Sequence, residues 1–168
     1  MCEEVWKKLH CDHCTNMNRY NNVIFGQKAF IIKGEKILII KRKVADVFTG
    51  LWDIPGGKVE SEDNLFEGIA REIKEEVNLK LTKILLTLST SKFVGSLRDH
   101  PIIFRNIYLC SAEGEVKLSD EHSDFLWVEP EELINYQFPD DPDLQSVLAR
   151  IPGIIKDMNK IINYSEIF

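Results

Sequence analysis

The sequence predicts an α/β domain, a mixed β-sheet packed between helices. Three observations carry that expectation. Several runs rich in β-branched and aromatic residues are strand-sized and bounded by turn residues. Residues 62–77 repeat apolar side chains every four positions, the period of a helix face. Helix-like and strand-like segments are interspersed, which sets helices against a sheet. The 168 residues amount to about one domain at roughly 150 residues per domain. That length buries a core without disulfides or metal staples.

The elements follow in order. Residues 1–22 differ from the rest and read as an appendage to a domain spanning 23–168. Within them Val5, Trp6 and Leu9 could form one face of a short helix, and 10–22 is polar with four Asn. Residues 23–33 and 36–43 are strand-like, and Gly34-Glu35 between them signals a hairpin. Residues 44–57 contain Gly50, Pro55, Gly56 and Gly57 and are expected to be mostly loop. Over 62–77, Leu65, Ile69, Ile73 and Val77 form the helical stripe, with Phe66 and Ala70 beside them. Asn78 then suits a left-handed C-cap. Strands are expected over 84–94, 101–111 and 126–128, with 95–100 as a loop. A short helix starts at Glu129-Pro130, where Pro fits a first turn. Residues 143–151 and 154–162 are helix-like, and Pro152-Gly153 is expected to separate them.

Composition excludes several classes. A net charge of −6 argues against a protein that coats a nucleic-acid polymer, because phosphate neutralisation needs clustered Lys and Arg. It is compatible with small phosphorylated substrates gripped through a divalent cation, which wants carboxylates. No run approaches the roughly 18 apolar residues of a membrane span. The first residues, Met1-Cys2-Glu3-Glu4, lack the basic start and apolar core of a signal peptide. The four cysteines therefore read as reduced thiols of a cytoplasmic protein. Cys110, in an apolar run, is expected to be a buried small hydrophobe.

The chemistry concentrates between Gly56 and Leu79. On a helix of about 100° per residue, Glu72 and Glu76 fall ~40° apart at one edge of the apolar arc. Glu75 lies ~60° beyond Glu72, away from the core. Three carboxylates on one stripe repel each other. A hard divalent cation removes that penalty, since Mg²⁺ takes oxygen ligands from one or two carboxylates plus substrate phosphates. Gly56-Gly57 lets the backbone approach a ligand closely, and a carbonyl there is another hard donor. The competing interpretation is a solvated Glu-rich helix face.

These residues resemble the signature box of the Nudix hydrolases. Gly57 is followed after five residues by Asp63, where that box has Glu. Seven residues later come Arg71, Glu72, Ile73, Glu75 and Glu76, then Leu79. Asn78 stands where the box has Gly. Asp63 keeps the charge with a shorter reach, so its pairing with Arg71 is expected to be looser. The segment 51–57 is similar to the approach into the box, and 121–133 to the family's later strand and helix. The resemblance implies an αβα sandwich and hydrolysis of a nucleoside diphosphate linked to another moiety. It implies Glu72 and Glu76 as the principal ligands of Mg²⁺ or Mn²⁺, Glu75 as a further ligand or general base, and the Gly56 carbonyl as a possible ligand. Arg71 would orient a box carboxylate. Glu121 is the candidate base from a later loop, ahead of Glu113 and Glu115.

A nucleobase needs a flat apolar face. Phe48 and Trp52, in a loop, are the substrate candidates, whereas Phe93 and Trp127 read as core. Lys41 and Arg42, followed by Lys43, could reach phosphates. Arg98 and His100 sit in a loop of unknown direction. His10, Cys11, His13 and Cys14 form a Cys-x-x-Cys flanked by His. Zinc there would need four ligands, a count that closes only with His10 or His13 or with Cys2, and an arm without metal is preferred. The expected partner is a nucleotide or nucleotide derivative, with nucleoside triphosphates slightly favoured over ADP-ribose or dinucleoside polyphosphates. The chain is expected to be a monomer or homodimer. Two rivals share the fold. A non-catalytic nucleotide sensor could lose the carboxylates that this chain keeps, and an isoprenoid-diphosphate isomerase wants a pocket Cys with a partner.

Overall fold

The computed structural model describes residues 23–43, 48–94 and 102–165. Cys2, His10, Cys11, His13 and Cys14 of the appendage, and Arg98 and His100, lie outside the described residues. Strands β1 (Val23–Lys33) and β2 (Lys36–Arg42) form the expected hairpin, with Gly34 taking the left-handed φ of 62° that the turn requires. Their pairing is confined to Ile32–Ile37 and Lys33–Lys36. Beyond it β1 runs beside β5 (Ile102–Glu113) in parallel, and β4 (Lys80–Val94) pairs antiparallel with β5. The remainder of β2 pairs with β3 (Trp52–Asp53) and, on its other edge, with β6 (His122–Val128).

The divergence of β1 from β2 leaves a wedge, and residues 55–59 occupy β1's side of it. Ala29 donates to the Pro55 carbonyl, Gln27 to the Gly57 carbonyl, and Val59 to the Phe25 carbonyl, each at 2.8 Å. The glycine pair is thereby laid flat along β1.

Strand alternation divides the core into two layers. Phe30, Ile37, Ile39, Ile107 and Leu109 pack with Leu144, Val147, Ile151 and Ile155 of the C-terminal helix α2 (Pro142–Ser165). Ala29, Ile31, Leu38, Ile40, Tyr108 and Cys110 pack with Ile69, Ile73 and Val77 of α1 (Leu65–Val77). The result is the expected helix–sheet–helix sandwich. Cys110 is fully buried, and burial pushes its thiol up to about 12, so it is inert as an acid or nucleophile near neutrality.

Several boundaries differ from the sequence expectation for physical reasons. Helix α1 starts at Leu65, not at 62, because Asn64 caps it. The Asn64 side chain accepts from Phe66 and Glu67, and Glu67 reaches back to the Asn64 N–H. Leu65 and Phe66, expected on the buried stripe, are half-exposed. The first turn overlies polar Gln27, whose Nε2 donates to the Leu65 carbonyl, instead of an apolar surface. Asn78 does take the left-handed cap, with φ of 60°.

Strand β4 begins at Lys80, four residues before the expected start. Register shifts at Leu81/Lys83, Ile84/Leu86 and Thr87/Ser89 break its alternation. Within the stretch 44–57, β3 is a two-residue strand, and β6 starts at His122 instead of 126. Residues 130–135 form a short 3₁₀ helix with Pro130 in its first turn. The two expected C-terminal helices are one, with Pro152 inside it. The apolar row of Leu144, Val147, Ile151 and Ile155 continues across that proline. Its burial outweighs the roughly 3 kcal/mol cost of an interior proline. No helix among the described residues is long and apolar enough to cross a membrane.

Candidate functional site

The site forms where α1 faces the glycine pair in the wedge. Gly56 has a φ of 150°, and a Cβ there would stand 2.1 Å from the Gln27 carbonyl oxygen. Only glycine permits this approach to β1. The Gly56 N–H points across the wedge and donates to Glu76 Oε2 at 2.9 Å. A Cβ on Gly57 would meet the Glu72 carboxyl carbon at 2.4 Å. The missing side chain at Gly57 is thus the space the Glu72 carboxylate occupies.

Arg71 organises the outer half. Its Nε donates to Asp63 at 3.0 Å, its Nη1 to Glu72 at 3.0 Å and Glu75 at 3.3 Å, and its Nη2 to the Lys58 carbonyl at 3.0 Å. The shorter reach of Asp63 therefore still makes a direct bond, and the expected loosening is not seen. Burial opposes the charge on Arg71, but Asp63 and Glu72 outweigh it and hold the guanidinium above its ordinary value.

The inner half is short of positive charge. Glu76 is 9% exposed. Burial pushes its carboxyl up to about 7; the Gly56 N–H and Lys28 oppose the rise, while Glu72 and Asp53 add to it. Glu72 is also raised, by burial first, with Arg71 opposing and Glu75 and Glu121 adding repulsion. Lys28 is engaged at 2.5 Å by Asp53, so its charge is shared before it reaches Glu76. His122, side chain 1% exposed, places Nε2 3.9 Å from Glu76 Oε1.

The other sequence candidates fall around this centre. Glu121 is exposed in the turn before β6, close enough to repel Glu72. Glu113 pairs with Lys80 at 3.2 Å, and the Glu115 carbonyl accepts from Asn78; both are engaged just beyond the C-terminal cap of α1. Trp52 lies edge-on to Tyr136 at 5.3 Å, with Lys41 over its ring at 5.7 Å. Phe48 is 42% exposed, with Arg42 over it at 5.9 Å. These two cation–aromatic pairs flank the end of β2 beside the wedge. Trp127 and Phe93 are partly buried. Trp127 packs on the α1-side core, and Phe93 lies under Arg105 at 4.9 Å. Sequence reasoning missed Lys28, Asp53 and His122 as neighbours of the carboxylates. The available signal was a charged or polar residue at a strand position that the alternation would bury.

The donor set suits a hard divalent cation. It offers carboxylate oxygens, a backbone segment without side chains, and a buried carboxylate whose proton is held above the ordinary range for want of a counter-charge. Among the described residues, no three His, Cys, Asp or Glu side chains yet converge as a cation cage. Arg71 draws Glu72 and Glu75 to one side, and Glu76 turns to Gly56.

A helix–sheet–helix sandwich with this carboxylate stripe beside a glycine pair defines a pyrophosphohydrolase, an enzyme acting on phosphoric anhydrides. The NUDIX domain family model matches residues 26–151, and the chain belongs to that family. It is 34% identical over 105 residues to the nucleoside triphosphatase NudI of Escherichia coli, covering 56% of this chain and 74% of that protein. The solution structure of the E. coli ORF135 protein superposes with a TM-score of 0.66 at 25% identity, covering 79% of this chain and 91% of that one. The MutT protein of Methanosarcina mazei Go1 gives a TM-score of 0.62 at 25% identity, with coverage of 83% and 96%.

Proposed function

We propose that this protein hydrolyses nucleoside triphosphates, releasing nucleoside monophosphate and pyrophosphate, with Mg²⁺ or Mn²⁺ as cofactor. The observation that carries the reading is Glu76, a buried carboxylate facing Gly56 and Glu72 with too little positive charge around it. Glu72, Glu75, Glu76 and the Gly56 carbonyl are the residues that would hold the cation. When bound, the cation supplies charge neutralisation on the phosphates and lowers the pKa of water. The chain's own groups do the rest. Arg71 orients Glu72 and Glu75 through the bonds described above. Glu121, or exposed Glu75, accepts the proton of the water that attacks phosphorus, and the anhydride oxygen leaves with the pyrophosphate. Trp52 and Phe48 offer ring faces to the base, and Lys41 and Arg42 offer charge to the phosphates. The preference for triphosphates is supported by the name of the 34% identical relative. Buried, unoxidised Cys110 suits a cytoplasmic location. Residues 23–168 form the catalytic domain, acting as a monomer or homodimer.

Product analysis by anion exchange tests this. Nucleoside triphosphates, ADP-ribose and a dinucleoside tetraphosphate are each incubated with and without Mg²⁺. The expected result is monophosphate plus pyrophosphate from the triphosphate, in the presence of Mg²⁺ only. AMP plus ribose phosphate as the dominant products would overturn the triphosphate assignment, and Mg²⁺-independent turnover would overturn the cofactor.

A further inference from the structure

The Gly56 N–H fixes one oxygen of Glu76, and the other faces a histidine. Glu76 Oε1 lies 3.9 Å from His122 Nε2, outside hydrogen-bond range but in contact. His122 is the first residue of β6 and pairs with Arg42 just past the register shift at Lys41/Arg42. Such irregularities re-aim side chains, and here the ring is turned inward to 1% exposure. Its other nitrogen, Nδ1, lies 3.3 Å from Ser119 Oγ. Ser119 in turn donates its N–H to the Glu76 carbonyl at 2.9 Å, so α1's last turn carries both the carboxylate and the anchor of the ring beside it.

From this geometry we infer that His122 is a positioning residue that fixes the orientation of the Glu76 carboxylate for a divalent cation. The inference rests on Glu76 being a ligand, as proposed above. The terminal torsion of a glutamate is broad and poorly staggered, so one hydrogen bond leaves the second oxygen free to swing. A buried ring 3.9 Å from that oxygen narrows the swing, and its Nε2 is within reach of a small rotation of the carboxylate. The residue type matters as well. Lys or Arg at this position would neutralise Glu76 and compete with the cation. An imidazole, unlike those side chains, is not a permanent cation. Metal sites commonly depend on such outer partners, whose loss costs roughly 10- to 100-fold in affinity.

The test compares H122Q, which keeps a nitrogen donor near the Nε2 position, with H122M, of similar length and without one. E76Q serves as the control. Binding of Mn²⁺ to the metal-free full chain is measured by electron paramagnetic resonance, and thermal midpoints are taken without metal. Nucleotide KM and kcat are measured at saturating Mn²⁺. The account expects H122M to bind Mn²⁺ roughly 10- to 100-fold more weakly. H122Q should stay near the parent, with both midpoints and both KM values close to it. Equal Mn²⁺ affinity in H122M and H122Q, with E76Q impaired, would overturn the inference and leave His122 a packing residue. Unimpaired Mn²⁺ binding by E76Q would overturn the ligand reading beneath it.

Discussion

At the start of α2, Asp141 and Asp143 lie against Arg105; on α1, Glu72 and Glu76 lie against the glycine pair. Both are clusters of buried or half-buried carboxylates, and their surroundings treat them in opposite ways. Arg105 donates to Asp141 through Nη1 at 2.7 Å and Nη2 at 2.6 Å, and to Asp143 at 2.9 Å. The Ser89 and Ser91 hydroxyls donate to Asp143 at 2.5 and 2.7 Å. Burial opposes ionisation of both Asp residues, but these donors outweigh it and hold their carboxyls below the ordinary value. At Glu76 burial wins, because one N–H and a shared Lys28 do not balance the neighbouring Glu72 and Asp53. In the first cluster both carboxylates have their donors, and the cluster clasps a helix to a sheet. The second is left in electrostatic deficit, as expected of a site that a cation completes.

The contrast can be broken in graded ways. E76Q removes the deficit and the proposed ligand together. Turnover should fall on the order of 10³-fold or more while the fold is retained, as checked by steady-state kinetics beside circular dichroism. R105M opens the clasp and leaves Asp141 and Asp143 without their cation. It should destabilise the chain by about 3–5 kcal/mol in urea titration, with kcat per folded molecule preserved. G57A leaves both clusters their charges but pushes a methyl into the Glu72 carboxylate. A displacement of that size should lower kcat roughly 100-fold, with little change in nucleotide KM. Removal of residues 1–22 leaves every residue of both clusters in the chain, and hydrolysis by 23–168 should match the full chain within assay error.

The two regions also differ in how far the sequence revealed them. Gly57, Asp63, Arg71, Glu72, Glu75 and Glu76 were readable because a single loop and helix set their relation, and helical geometry converts spacing into position. Asn78 as a left-handed cap was readable for the same reason. Lys28, Asp53 and His122 come from three different strands. The divergence of β1 from β2, and the pairing of β2 with β3 and β6, bring them to Glu76, and no local pattern encodes that. The clasp was missed likewise, since Arg105, Ser89 and Asp143 are distant in sequence and each alone reads as an ordinary surface residue. Burial of a continuous apolar row also hid the continuity of α2 from a reading that gave Pro152 too much weight.

The central claim is that Glu76, for want of a cation, keeps its proton well above the ordinary carboxylate range, whereas the clasp's carboxylates already have their donors. Folding stability of the metal-free chain as a function of pH tests it most directly, with E76Q measured alongside. A carboxyl raised from 4.5 to about 7 binds its proton more tightly in the folded state. It therefore stabilises the fold below pH 4.5 and loses that contribution as pH rises to 7, by roughly 3 kcal/mol. The clasp's lowered carboxyls act in the opposite sense, adding stability above their unfolded pKa near 3.8 and losing it as pH falls below. The account predicts a decline in stability between pH 4.5 and 7 that is absent in E76Q and is reversed by Mg²⁺. A flat profile identical in both proteins, or an E76Q variant less stable than the parent at pH 8 without metal, would contradict it.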